Sequence, residues 1–265
     1  MSDPWRLSAS RAPLLLPPNC PRLFKEAIDT PVESTPAMEF GQLVHTLLLG
    51  VGEEYEVLDP AVHGRKRDGT VSDNPKACAA WKAAEKEVRD RGALVFTPAE
   101  YEQAAAMVAA VRSHPLAGPL FEQGKPEVPL EFVDPDTGVL LTGRVDWITF
   151  EGDRLVLADL KTSSTAEYRA FSRKAFDLGY HIAGAWYHAL ARLMGLALDP
   201  IVRFVAVEKA SPYLVSVINQ RGDELLLGAT RMRQAINLYH QCRVTDQWPG
   251  YDQMYDMTLP PWAFR

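Results

Sequence analysis

Between residues 127 and 161 apolar positions recur with a period of two, whereas on either side they recur with the spacing of helices. Residues 127–134, 139–150 and 154–161 therefore read as strands, joined by turns at Asp134-Pro135-Asp136-Thr137-Gly138 and at Gly152-Asp153. Upstream, a helix is expected from Thr35-Pro36 through Leu49, with threonine as its cap and proline at its first position. Two more are expected near 76–91 and 97–113. The second opens on Thr97-Pro98-Ala99-Glu100, a capping box. Downstream, helical pattern returns over 165–195, followed by strands at 201–209 and 213–220 and a last helix over about 222–242. The proline-rich stretch before residue 33 reads as an irregular arm, and the tail from Trp248 is proline-punctuated and aromatic-rich. No linker, repeat or low-complexity segment divides the chain. The expectation is one α/β domain over 1–265, with a helical N-terminal part and a sheet core over 127–220.

The central hairpin carries the candidate chemistry. With Gly152-Asp153 as a two-residue loop, glycine first as a type II′ turn prefers, Glu151 pairs with Arg154, Ile148 opposes Leu157, and Asp146 opposes Asp159. Directly opposed residues have Cβ atoms roughly 4.5–5.5 Å apart. Phe150, Ile148, Leu155 and Leu157 would share the face of the two aspartates, and Val145, Trp147, Val156, Ala158 and Leu160 the other. A hairpin apolar on both faces is a covered one. Two carboxylates opposed at its end repel unless a cation lies between them, and a hard divalent ion is the natural cation for oxygen ligands. Lys161, two residues beyond Asp159, falls on the same face. A structural salt bridge among Asp146, Asp159 and Lys161 accounts for the same spacing, so both readings stay open on the spacing alone.

Composition narrows the classes. The chain has 265 residues, 47% hydrophobic and 23% charged, which is ample for a sizeable core. No apolar run reaches bilayer-spanning length, and the first residues lack the basic and apolar regions of a secretory signal. A cytoplasmic protein is expected. Cys20, Cys78 and Cys242 form no CxxC pair, which argues against a zinc site, a disulfide framework or an iron–sulfur cluster. The formal net charge of −6 argues against a protein that coats nucleic acid by charge alone. It does not exclude a nuclease, in which carboxylates gather at a metal site behind a local basic rim. Arg65, Lys66 and Arg67 form the clearest such patch, with Arg22, Lys25, Arg173 and Lys174 as further candidates. A solvated surface loop explains Arg65–Arg67 equally.

Gly143-Arg144-Val145-Asp146 followed by Ala158-Asp159-Leu160-Lys161-Thr162 resembles the "GR-x-D … DLKT" signature of the PD-(D/E)XK nuclease superfamily. More narrowly, the chain resembles phage and prophage exonucleases typified by the nuclease domain of exodeoxyribonuclease VIII, the RecE type. Further pieces follow in the same order along most of the chain: Leu7-Ser8-Ala9-Ser10, then Phe40-Gly41-Gln42-Leu43-Val44-His45, which matches a "G-x-x-x-H" helix. Glu127-Val128-Pro129 and Asp136-Thr137-Gly138 match the strand and turn before the first aspartate. Gly179-Tyr180-His181, Trp186-Tyr187, Trp248-Pro249-Gly250-Tyr251 and Leu259-Pro260-Pro261-Trp262 complete the series.

The resemblance implies a restriction-endonuclease-like core: a central mixed sheet flanked by helices. It implies Mg²⁺ or Mn²⁺ held by Asp146, Asp159 and the main-chain carbonyl of Leu160, with His45 approaching the metal. It makes Lys161 the catalytic lysine and Glu127 a further acidic catalytic position, for which Glu131 on the same strand face is a rival. Read from the residues alone, His45 is equally a histidine satisfied within an apolar helix. Tyr180 and Tyr187 join Arg65, Lys66 and Arg67 as expected DNA contacts. The implied activity is metal-dependent hydrolysis of linear double-stranded DNA from an end, 5′ to 3′, in phage-type recombination. A single-strand annealing recombinase and a homo-oligomer are the implied partners. The alternatives are a structure-specific or guide-associated endonuclease on the same core, and a non-catalytic DNA-end-binding or assembly protein. One departure bears on the last. The family motif Tyr-His-x-Gln-Ala-x-x-Tyr carries a glutamine where this chain has Ala183.

Overall fold

A computed structural model describes residues 5–30, 34–254 and 256–259. In chain order its elements are β1 (Arg6–Ser8), α1 (Pro21–Asp29), α2 (Pro36–Leu49), β2 (Tyr55–Val57), α3 (Pro60–His63), α4 (Ala79–Asp90), β3 (Leu94–Phe96) and α5 (Pro98–Ser113). Then follow β4 (Lys125–Val133), β5 (Leu140–Glu151), β6 (Arg154–Ser163), α6 (Tyr168–Asp177), α7 (Tyr180–Leu193), β7 (Ile201–Glu208), β8 (Val215–Gln220) and α8 (Asp223–Thr245).

The local signals act as their chemistry dictates. The Thr35 hydroxyl accepts from Met38 N–H at the start of α2, and Thr97 and Glu100 close a reciprocal capping box on α5. The stretch before residue 33 differs from the expected irregular arm. It contains β1 and α1, and Phe24 is fully buried. A three-residue strand is too short to show a period, and prolines that resemble loop punctuation stand instead at a helix start, Pro21 being the first residue of α1. The tail docks on this arm: Trp248 stacks on Phe24 at 5.8 Å, and the Tyr251 hydroxyl donates to Pro18 O. Of the tail motif Leu259-Pro260-Pro261-Trp262, only Leu259 lies within the described residues. The expected helical stretch 165–195 is two helices, because Gly179 takes a left-handed φ of 73° between α6 and α7.

The main sheet is mixed, in the order β1-β5-β6-β7-β8, with β4 also paired to β5. β5 runs parallel to β1 and antiparallel to β4 and β6, while β6 and β7 are parallel. The separate β2-β3 pair is parallel and was not expected. One layer, drawn from α1, α7 and α8, covers one face with Phe24, Trp186, Leu190 and Ile236 among its buried side chains. The other layer, from α2 and α5, contributes Leu43, Val44, Met107 and Val111. The Asp134 turn is tied to α8, since its buried carboxylate accepts from Thr137 and from both terminal nitrogens of Arg233. Among the described residues no helix is long and apolar enough to cross a membrane.

β5 positions the site. Its β4 edge is paired along most of its length. On the opposite edge it pairs with β1 only over 140–142 and with β6 only over 147–151. Residues 143–146 face a gap where β5 leaves β6. The inside–outside alternation also changes here. Val145 packs in the same core as Leu155 and Leu157, whereas Trp147 packs with Val156, Ala158 and Leu160. The expected common face for Val145 and Trp147 is therefore corrected. Strict alternation assumes unbroken extended backbone, and opposite the turnover point Glu127 of β4 takes a left-handed φ of 50°.

Candidate active site

Register alone brings three carboxylates into line. The β4–β5 pairs Pro126–Trp147 and Val128–Val145 bracket Glu127 and Asp146. The β5–β6 ladder runs from Glu151–Arg154 through Trp147–Ala158, so the next step sets Asp146 against Asp159. Gly152 has a positive φ and Asp153 does not, as a type II′ turn requires. Glu127, Asp146 and Asp159 thus lie abreast on three neighbouring strands, at the point where β5 and β6 separate.

The side chains complete the arrangement. Asp146 Oδ2 accepts from Leu160 N–H at 2.8 Å and lies 3.4 Å from His45 Nδ1. His45 reaches it from α2, on which Gly41, one turn earlier, sits against Thr162 of β6. Ligand atoms of His45, Glu127 and Asp146 all fall within 4.8 Å of one another. Beside that trio, Asp159 Oδ1 accepts from Lys161 Nζ at 2.5 Å, while its buried Oδ2 has no hydrogen-bond donor among the described residues. Arg144 Nε lies 2.6 Å from Glu127 Oε2. A cleft of about 580 Å³ opens over His45, Glu127, Arg144 and Asp146, bounded by Gly41, Gln42 and Glu53.

The electrostatics follow from burial and from like charges held close. Burial and the Asp159 carboxylate push Asp146 well above the usual carboxylate range. Burial also raises Glu127, against the opposing pull of Arg144. Burial, then Lys161, lowers His45 to about 4, leaving a neutral imidazole at neutral pH. Burial disfavours the Lys161 ammonium, but Asp159 and Asp146 outweigh it and hold this lysine above its ordinary value. A crowded set of carboxylate oxygens with one unpartnered buried oxygen and a neutral imidazole suits a hard divalent cation. Such an ion would relieve the repulsion that raises Asp146.

Lys161 is held from two sides. Asp159 accepts from it, and its ammonium lies 4.9 Å from the centre of the Tyr180 ring on α7, a cation–π contact. One turn further along α7, Ala183 is buried and offers no side-chain hydrogen bond. Tyr187 is buried as well, packed against Gly143, where a Cβ would come within 3.1 Å of its ring. The glycine of the Gly-Arg-x-Asp stretch thus makes room for α7 beside the site.

The other expected DNA contacts are placed unequally. The Arg65 guanidinium donates to Ala61 O at 2.6 Å and Gly69 O at 2.7 Å, so it braces its own loop. Lys66 lies 3.7 Å from Asp73, and Arg67 is exposed. None of the three lines the cleft. Glu131 pairs with Arg6 at 3.3 Å, away from the carboxylate row. Glu127, expected as an acidic catalytic position, also falls within ligand distance of His45 and Asp146; its backbone there is left-handed, and a non-glycine residue in that conformation carries no mark in the sequence.

A crystal structure of a "Putative exonuclease" from Eubacterium rectale is similar in fold over 98% of this chain and 92% of that chain, with a TM-score of 0.62 and 12% identity. A phage related exonuclease from Haemophilus somnus covers 73% of this chain and 97% of its own at 15% identity, with a TM-score of 0.35. No curated protein sequence matches the chain. The mixed sheet between helical layers is the restriction-endonuclease-like architecture, and residues 18–257 match the model of a PDDEXK-like domain of unknown function (DUF3799). With 240 of its residues inside that match, the chain belongs to this PDDEXK-like family.

Proposed function

We propose that the chain is a divalent-metal-dependent exonuclease that hydrolyses linear double-stranded DNA from an end, 5′ to 3′. The observation that carries this reading is the row Glu127–Asp146–Asp159 across three neighbouring strands, met by His45 from one helical layer, with Lys161 of β6 held under Tyr180 of the other. Asp146, Asp159 and the carbonyl of Leu160 would hold Mg²⁺ or Mn²⁺, with His45 and Glu127 completing the set. When bound, the ion supplies Lewis acidity toward a phosphate oxygen and a more acidic water.

The chain's own groups do the rest. The Lys161 ammonium, fixed by Asp159 and the Tyr180 ring, stabilises negative charge that grows on the scissile phosphate. His45, neutral and beside Asp146, accepts or passes a hydrogen bond without adding charge. The contacts of Lys161 take over what Ala183 cannot supply, which favours catalysis over the non-catalytic alternative. The setting we propose for this activity is phage-type recombination in a bacterial cytoplasm, with the whole chain as one domain. A single-strand annealing recombinase and further copies of the chain are the partners this role calls for.

The test is digestion of one plasmid in linear and closed circular forms, with Mg²⁺, with Mn²⁺ and with a chelator. Linear duplex should disappear only with metal, and the closed circle should persist. Equal loss of both forms would favour an endonuclease, and loss of neither, with DNA still bound, the end-binding protein.

A further inference from the structure

We propose that the solvent face of α6 is a platform for single-stranded DNA beside the active site, resting on the nuclease reading for its biological use but not for its test. Tyr168, Ser172 and Phe176 recur every fourth residue, flanked by Arg169 and Arg173, so these five positions fall within about 140° of the helix surface. Tyr168 and Phe176 are 57% and 54% exposed, which is unusual for two rings on one short helix. Each ring is already held flat. The Arg169 guanidinium lies 5.5 Å from the Tyr168 ring centre and donates to its hydroxyl at 2.7 Å, and Phe176 stacks on His181 at 5.0 Å and 17°.

The charge on this helix has a matching asymmetry. At the edge of this face Lys174 Nζ reaches the hydroxyls of Ser164 at 3.3 Å and Ser163 at 3.5 Å, and among the described residues no carboxylate oxygen lies within 4.0 Å of Arg169 or Arg173, although both act on the Glu167 carboxylate through space. The Glu167 carboxylate is engaged with the N–H groups of Arg169 and Ala170 at the start of the helix. Asp177, at the last position, is the other acid of the segment. In a chain of net charge −6, a face with two arginines and two exposed rings calls for a polyanion with stackable planes. Base stacking on aromatic side chains combined with backbone charge is how proteins hold unpaired strands. A duplex hides its base faces, which selects the single strand.

The helix that carries the platform packs, by its opposite side, next to the catalytic lysine. Ser163, under Lys174, is two residues beyond Lys161 on β6, and Phe171 of α6 contacts the Tyr180 ring that covers Lys161. A strand leaving the cleft along β6 would therefore meet α6 next.

The experiment is anisotropy of a fluorescent oligothymidylate of about 20 nucleotides, titrated without metal over a series of salt concentrations. The wild-type chain is compared with Arg173→Ala, with the double variant Tyr168→Ala/Phe176→Ala, and with Lys82→Ala on exposed α4 as a charge control. The double variant should bind about tenfold more weakly or worse. Arg173→Ala should lower the log–log salt slope by about 0.7, the value of one phosphate contact on a single strand. Lys82→Ala should match the wild type. The proposal is overturned if the wild type does not bind, if the α6 variants keep its affinity and slope, or if Lys82→Ala loses as much as they do. Duplex cleavage measured separately with Mg²⁺ keeps the two readings apart: intact cleavage with unaltered oligonucleotide binding by the variants refutes the platform alone. Absent cleavage with the predicted binding losses refutes the nuclease alone.

Discussion

An Asp159→Ala protein should lose divalent-dependent DNA hydrolysis by at least about 10³-fold while remaining folded, since a metal-bound water and phosphate account for several kcal/mol of barrier. Asp159 is 1% exposed, and its Oδ2 has no hydrogen-bond donor among the described residues. A buried carboxylate in that condition costs stability unless something else uses it. Its removal also eases the pressure that raises Asp146. Lys161 keeps Asp146 as a counter-charge and Tyr180 as a lid, so the fold has no reason to open. Binding of duplex should persist or tighten, because one negative charge has left the phosphate path. The measurement is single-turnover cleavage of linear duplex, with a thermal melt of the same preparation. Full activity in a folded Asp159→Ala protein would remove the proposed site.

Lys161→Met should cost about 10²–10³-fold in the cleavage rate, the usual worth of one preorganised group aimed at developing charge. Methionine keeps the length of the chain beneath Tyr180, so packing changes little. The metal should bind at least as tightly, because a cation beside the carboxylates has been removed. The loss should therefore appear in kcat and leave KM and metal dependence nearly unchanged. A raised KM at an unchanged kcat would make Lys161 a binding group. An unchanged rate would leave only the structural salt bridge with Asp159.

Much of this site could be read from the residues because its placement depends on local rules. A two-residue turn at Gly152-Asp153 sets the register, the register sets Asp146 against Asp159, and parity sets Lys161 on the side of Asp159. The helix caps at Thr35 and Thr97 are equally local. What escaped depends on tertiary placement. Glu127 joins His45 and Asp146 at a point where its own backbone is left-handed and where, on the neighbouring strand, Val145 and Trp147 turn to different cores. That Arg65 braces its own loop, with its guanidinium on the Ala61 and Gly69 carbonyls, is not visible in a short run of charge. β1 and β2 are too short to show a pattern: β1 pairs with the edge of the long β5, and β2 pairs with β3, which is as short as itself. The Lys161–Tyr180 contact needs the break at Gly179, which turns α7 back over the strand end.

The carboxylates beside the β5–β6 gap should hold a divalent ion. The most direct measurement is anomalous diffraction from crystals grown with Mn²⁺. A peak should lie at about 2.0–2.6 Å from oxygens of Asp146 and Asp159, and it should vanish in crystals of Asp159→Ala. A fully occupied peak elsewhere on the protein, with none between Asp146 and Asp159, would contradict the account.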